Sequence, residues 1–237
     1  MKFTIERTAL FKALAHVQRV VERRTTIPVL SNVLLSADKG SLSLTATDMD
    51  LTVVETLAAE TGEAGQATAP AHTLYDIVRK LPDGAQIAFD YDAARARLAV
   101  QSGRSNFELS TLPVDEFPVN AGADFSHNFT LAAAGLRNLV ERTSFAISTE
   151  ETRYYLNGIF LHAAESGAGA VLRAVATDGH RLAQVEMPLP DGAAGMPGVI
   201  LPRKVVLELG KLMEETSDPV EVGLSDTKIQ FRIGEAV

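Results

Sequence analysis

The sequence contains no cysteine, which excludes disulfides, thiolate-bound zinc and cysteine nucleophiles. It has no apolar run long enough to span a bilayer as a helix. The first residues, Met1-Lys2-Phe3-Thr4-Ile5-Glu6, alternate as a strand does and lack the apolar stretch of a secretory signal, so a cytoplasmic protein is expected. Positive charge is scarce as well: 22 Lys and Arg against 30 Asp and Glu leave a net charge of −8. A role with nucleic acid must then rest on local placement of Lys and Arg, not on the total. What is present is an ordinary globular composition, 46% hydrophobic and 22% charged over 237 residues. That length is enough for two domains of about 100 to 150 residues.

The chain reads as one unit written twice. Phe3-Thr4-Ile5 followed by Leu10 matches Phe129-Thr130-Leu131 followed by Leu136, 126 residues on. At the same offset, Leu30 to Leu35 matches Leu156 to Leu161. The offset drifts to 130 between Ala46-Thr47-Asp48 and Ala176-Thr177-Asp178, and to 132 between Pro70 and Pro202, as loops of unequal length would make it.

In the first copy a short strand near Lys2 to Glu6 leads into a helix from about Arg7 to Val21. Leu10, Leu14, Val17 and Val21 form its apolar stripe, and Lys12, His16, Arg19 and Arg23 repeat that spacing two positions later. A basic stripe is also what a solvated face shows. After Pro28 a meander is expected, with turns at Asp38-Lys39-Gly40 and Thr61-Gly62-Glu63. Leu74, Ile77, Val78 and Leu81 mark a second helix that stops at Pro82-Asp83-Gly84. Strands at Gln86 to Tyr91, Leu98 to Ser102 and Asn106 to Leu112 complete about seven strands and two helices. A stretch rich in Pro, Ala, Gly and Asp, Pro113 to Asn128, leads to the second copy. There Leu136, Leu139 and Val140 point inward from a helix, with Arg137, Asn138, Glu141 and Arg142 outward. Strands are expected at Tyr154 to His162, Val171 to Ala176 and Leu182 to Met187, the first two joined by Ser166-Gly167-Ala168-Gly169. A helix over Arg203 to Met213, with Pro202 at its first position, and hairpin strands at Val220 to Leu224 and Lys228 to Ile233 follow. Gly234 matches Gly103, so the strand corresponding to Asn106 to Leu112 has no partner in the second copy. The fold class is α+β, each copy packing two helices on antiparallel sheet. The domains are drawn at 1–120 and 129–237 with 121–128 as linker.

Ala176-Thr177-Asp178-Gly179-His180-Arg181-Leu182 concentrates the chemistry. On a strand, Asp178 and His180 would share a face, as a metal site or an acid–base pair requires. No further cluster of ligands supports a metal, however, and no Gly-x-Ser-x-Gly elbow supports a hydrolase. The alternative is a tight turn in which Asp178 bonds nearby backbone and Gly179 supplies positive φ, leaving His180, Arg181 and Leu182 as a binding surface.

Together with Ile27-Pro28-Val29-Leu30-Ser31-Asn32, Arg104, Phe107-Glu108-Leu109-Ser110-Thr111-Leu112-Pro113, Arg153-Tyr154-Tyr155-Leu156-Asn157-Gly158 and Pro202-Arg203-Lys204, this stretch makes the whole chain resemble the bacterial β sliding clamp of DNA polymerase III. The resemblance implies repeated DNA-clamp domains, three per chain in a ring of two chains, with helices around duplex DNA and sheets outward. It implies a processivity factor without catalysis, cofactor or metal. Partners would be DNA polymerase subunits, the clamp loader and repair proteins, bound through short peptide motifs. On this reading Lys12, Arg19, Arg23 and Arg24 meet phosphates, and Tyr154 and Tyr155 meet DNA and could stack on single-stranded bases. Glu150 and Glu151 oppose a phosphate contact in that loop. Leu156, Thr177, Gly179, His180, Arg181 and Leu182 carry over as part of the peptide pocket, and Phe107 and Leu109 as the ring-closing edge. The third domain of the family has no counterpart here. A two-domain clamp closing as a trimer, and a hydrolase on Asp178 and His180, are the alternatives.

Overall fold

The computed structural model describes residues 1–118, 124–150, 152–167 and 169–237. Part of the expected linker (121–123), Glu151 and Ala168 lie outside the described residues. The chain divides into two compact units, residues 1–121 and 122–235.

The first unit runs β1 (Lys2–Glu6), α1 (Arg7–Val17), β2 (Asn32–Asp38), β3 (Ser41–Thr47), β4 (Thr52–Ala58), β5 (Glu60–Glu63), β6 (Gly65–Pro70), α2 (Ala71–Lys80), β7 (Gln86–Asp92), β8 (Arg97–Ser102) and β9 (Ser105–Ser110). Its strands form two antiparallel sheets, β5-β1-β7-β8-β9 and β4-β3-β2-β6. Period-two alternation sends Leu42, Leu44 and Ala46 of β3 into one core with Leu10 and Leu14 of α1 and Leu74 and Val78 of α2. Phe3 and Phe89, opposite each other across β1 and β7, stack at 4.5 Å. Phe11 and Tyr75 stack at 5.3 Å between the two helices.

Glu6 starts α1 by accepting the Ala9 amide at 2.9 Å. The helix stops at Val17, four residues short of expectation. Arg19 and Val20 instead bond back three residues, to His16 and Val17. Val17, Val20 and Val21 are β-branched and weak helix formers, yet all three stay buried, so the apolar stripe continues through the turn.

The second unit repeats the plan: β10 (His127–Leu131), α3 (Ala133–Glu141), β11 (Gly158–Ser166), β12 (Gly169–Thr177), β13 (Leu182–Pro188), β14 (Val199–Pro202), α4 (Arg203–Glu215), β15 (Val220–Leu224) and β16 (Ile229–Ile233). Its sheets are β10-β15-β16 and β13-β12-β11-β14. Leu136, Leu139 and Val140 of α3 face the core as expected, against Val206, Leu209 and Met213 of α4.

Several expectations need correction. Residues Glu60–Glu63 are not a turn but an edge strand beside β1, and the described residues of the first unit form nine strands where about seven are expected. The stretch from Tyr154 does not begin a strand. Leu156 bonds Arg153 and Asn157 bonds Tyr154 in a 3-10 turn, and β11 starts at Gly158, where a Cβ would lie 2.3 Å from the Leu201 carbonyl. The expected linker is ordered at its start: Val114–Glu116 form a 3-10 turn and Phe117 is buried. β14 was not foreseen. Among the described residues the second unit lacks counterparts of both β5 and β9, where the repeat suggested only one missing strand. Gly192 approaches β10 where β5 would lie, its Cβ position 2.2 Å from the Asn128 carbonyl.

Arg7 ties α1 to the end of α2. Its guanidinium donates to the Val78 and Arg79 carbonyls at 3.0 and 2.8 Å and to Asp83 at 2.6 Å, and it lies 4.6 Å from the Phe11 ring. Arg7→Ala removes the side-chain donor from two last-turn carbonyls of α2, of which Val78 keeps the Leu81 amide at 3.2 Å. It should lower the unfolding free energy by about 2 to 3 kcal/mol in urea titration. Asp83→Ala should cost under about 1 kcal/mol, because the carboxylate is exposed.

Candidate DNA-facing and peptide-binding surfaces

Thr177 to Leu182 form a turn closed by its own side chains. The Asp178 amide bonds the Arg181 carbonyl, and Thr177 Oγ1 donates to the same oxygen at 2.7 Å while accepting the Gly179 amide at 3.1 Å. Asp178 Oδ1 accepts the amides of His180 and Arg181, both at 3.0 Å, and Oδ2 accepts Arg181 Nε at 2.8 Å. Those amides, with Arg181, pull the Asp178 carboxyl down to about 2. A carboxylate so engaged with main chain is not poised to orient His180 as an acid–base partner. Among the described residues no three His, Asp or Glu side chains group as a metal site. The geometry thus favours the turn over the hydrolase reading.

The same turn occurs in the first unit. Met49 N bonds Thr47 Oγ1, and Asp48 Oδ1 accepts Asp50 N and Leu51 N, at 3.1, 3.1 and 2.7 Å. Met49 takes φ of 83° where Gly179 takes 89°. The turn geometry is common to both units, and what differs is the side chains it displays.

Around the second turn, residues of three segments come together. Arg153 Nη1 lies 3.4 Å from where a Cβ on Gly179 would stand, and Arg153 pairs with Glu150 at 2.9 Å. The Arg181 guanidinium lies 5.6 Å from the Phe145 ring. Ser148 N bonds the Leu156 carbonyl at 3.0 Å, fixing the loop that carries Tyr154 and Tyr155. Leu182 is 64% exposed and Leu156 half-buried. Phe145, exposed beside Arg181, was missed by the sequence reading, because one aromatic in Ser-Phe-Ala carries no periodic signal. Glu150 is not an isolated charge in that loop, since Arg153 partners it. Tyr154 and Tyr155 are exposed and meet edge to face at 5.5 Å.

In the first unit the basic residues do not form one continuous helical face. Lys12 is exposed on α1, whereas Arg19, Arg23 and Arg24 lie beyond its end, Arg19 half-buried and the other two exposed. His16, expected in that stripe, is buried and pairs with Glu55 of β4 at 2.5 Å. Phe107 and Leu109 lie on β9, the edge strand of its sheet. They share the inner face of β9, Leu109 buried in the unit's core and Phe107 packed against it. What β9 turns outward is its unpaired main-chain edge and the face of Asn106, Glu108 and Ser110.

Two successive α+β units, each with two helices on a pair of antiparallel sheets and the second bearing the exposed Thr177 to Leu182 turn, define the architecture of sliding-clamp domains. Residues 1–121 match the N-terminal domain of the DNA polymerase III beta subunit, and residues 130–237 match its central domain. The chain belongs to the DNA polymerase III beta subunit family, the beta sliding clamps. The beta sliding clamp of Caulobacter vibrioides strain NA1000 is 52% identical over 236 residues, all of this chain and 63% of the relative. A crystal structure of the DNA polymerase sliding clamp from Caulobacter crescentus superposes with a TM-score of 0.95 at 52% identity, covering 100% of this chain and 64% of that one. A sliding clamp of Bartonella birtlesii, crystallised bound to griselimycin, gives 0.95 at 51% identity, covering 100% of this chain and 63% of that one. The chain thus spans about 63% of the length of the curated relatives it matches. No helix among the described residues is long and apolar enough to cross a membrane.

Because the folded Asp178 value lies below its ordinary 3.8, the charged carboxylate supports the turn above that pH, and its contribution disappears as pH falls through about 2. The amide resonances of His180 and Arg181 should therefore titrate with a midpoint near 2 and not near 3.8. In Asp178→Asn that transition should vanish. Met49→Gly relieves a positive φ at an exposed position. It should raise stability by about 1 kcal/mol in thermal unfolding, whereas Gly179→Ala should lower it.

Proposed function

We propose that this chain is the N-terminal and central part of a clamp that encircles duplex DNA and tethers replicative polymerases and repair factors, without catalysis of its own. The observation that carries this reading is the consecutive match of both units to the first two domains of one clamp family, over nearly every residue. Lys12, Arg19, Arg23 and Arg24 supply phosphate contacts that carry no sequence information, which suits a protein that must slide. Tyr154 and Tyr155 offer stacking faces for unpaired bases. Leu156, Thr177, Gly179, His180, Arg181 and Leu182 form one wall of a pocket for short peptide motifs of polymerase subunits, the clamp loader and repair proteins. In the full-length protein the domains are 1–120 and 129–237 joined by 121–128, followed by a third. Two such chains close a ring through the edge of β9, with Phe107 and Leu109 as its interface residues. The protein acts in the cytoplasm.

Retention on nicked circular DNA and release after linearisation, measured with the full-length protein, test the tether. Lys12→Glu with Arg24→Glu should shorten retention and reduce the slope of log affinity against log salt by about 2, with the melting temperature unchanged. Leu182→Ala should weaken a partner peptide about tenfold, near 1.4 kcal/mol, and leave DNA retention intact. Retention that survives linearisation would overturn the proposal.

A further inference from the structure

Between α1 and the turn that precedes β2, Gln18 to Ile27 form neither helix nor strand. A connection of this kind takes its direction from whatever ties it to the framework. Val20 and Val21 are buried, and Arg23 and Arg24 stand exposed just beyond them.

One side chain holds this segment at two points. His72 Nε2 lies 3.1 Å from the Val21 carbonyl oxygen, and Nδ1 lies 2.9 Å from the side-chain amide of Gln18. A carbonyl only accepts, so Nε2 carries a proton and donates to Val21. Nδ1 donates to the Gln18 oxygen when the ring is an imidazolium and accepts from the Gln18 amide nitrogen when it is neutral, the amide turning over. The hold is thus available in both protonation states. One bond would leave a hinge, whereas two fix position and direction together.

The mounting of that imidazole is stiff. His72 is the second residue of α2, and Pro70, which precedes the helix, lies in register with Asn32 on β2. Asn32 in turn donates to Thr68 of β6 at 3.0 Å, and Leu74 and Val78 bury the helix in the core.

The second copy separates this hold from general upkeep of the fold. At the offset of 126, Gln18 and Val21 correspond to Ser144 and Ile147, and at the offset of 132 between the two prolines His72 corresponds to Lys204. In the same alignment Arg19, Arg23 and Arg24 correspond to Phe145, Thr149 and Glu150. Both copies make the same tight turn after their first helix, where Val20 bonds Val17 as Ala146 bonds Thr143. The copy without these arginines is also the copy without the imidazole and its amide partner, so the turn itself does not require them.

We infer that His72 is a positioning residue for DNA: by gripping Gln18 and Val21 together it makes Arg23 and Arg24 leave the unit in a fixed direction toward phosphate. A segment ordered in advance loses less conformational freedom when its arginines meet their ligand. The inference rests on the tethering proposal and acts only through those arginines.

The test uses the full-length protein on nicked circular DNA. His72→Ala should shorten retention about fivefold and lower the slope of log affinity against log salt by about 1. His72→Gln, which keeps an N–H aimed at the Val21 carbonyl, should stay within about twofold of the unsubstituted protein. In a chain already carrying Arg23→Ala and Arg24→Ala, adding His72→Ala should change retention by less than about 1.5-fold, because nothing remains to be positioned. A residue that merely stabilised the unit would show its full loss in that background. Additive losses, or unchanged retention in His72→Ala alone, would overturn the inference while leaving the tether standing. Unchanged retention in the Arg23→Ala, Arg24→Ala chain would remove the arginine contacts from the tethering proposal, and the inference with them. Without DNA, long-range proton–nitrogen NMR of the 237-residue chain should show His72 protonated at Nε2. A ring protonated at Nδ1 alone would also overturn the inference.

Discussion

Each unit depends on burying one face of a sheet under a pair of helices. Leu42, Leu44 and Ala46 in the first unit and Leu172, Ala174 and Ala176 in the second point to the core because successive side chains of a strand alternate. The same alternation turns Thr177, Val175 and Arg173 away from it. Binding chemistry is thereby confined to outer faces, strand edges and the turns between strands. The Thr177 to Leu182 turn lies in one of those places.

Net charge says little about such surfaces, because many carboxylates are occupied by their own chain. Asp178 is engaged by two amides and Arg181, Glu6 by amides at the start of α1, and Glu55 by His16 in the interior. The excess of acidic residues therefore does not spread evenly over the exterior. Lys12, Arg23 and Arg24 stand exposed on a chain that is acidic overall.

The two copies keep the same backbone solutions while their surfaces diverge. Both turns use Thr and Asp in the same way, yet one displays Met49, Asp50 and Leu51 and the other Gly179, His180 and Arg181. Met49 holds a positive φ that glycine adopts without strain, so the turn is imposed by its hydrogen bonds and not by the residue at its tip.

Much of this was legible in the sequence because it is local. Helical periodicity identified Leu10, Leu14, Leu136, Leu139 and Val140 as buried, the repeat placed corresponding strands, and the Thr-Asp-Gly stretch was read as a side-chain-closed turn. The resemblance to clamp polypeptides, carried by strings such as Arg153 to Gly158, agrees with the family match. Only tertiary structure decided the rest. His16 sits in a helical basic stripe by spacing, but Glu55, 39 positions away, draws it into the interior. Glu60–Glu63 reads as a turn until β1 offers it an edge, and Phe107 and Leu109 face a core assembled from other strands. The difference is physical: periodicity reports which residues share a face, whereas burial of that face depends on partners distant in the chain, which no local pattern encodes.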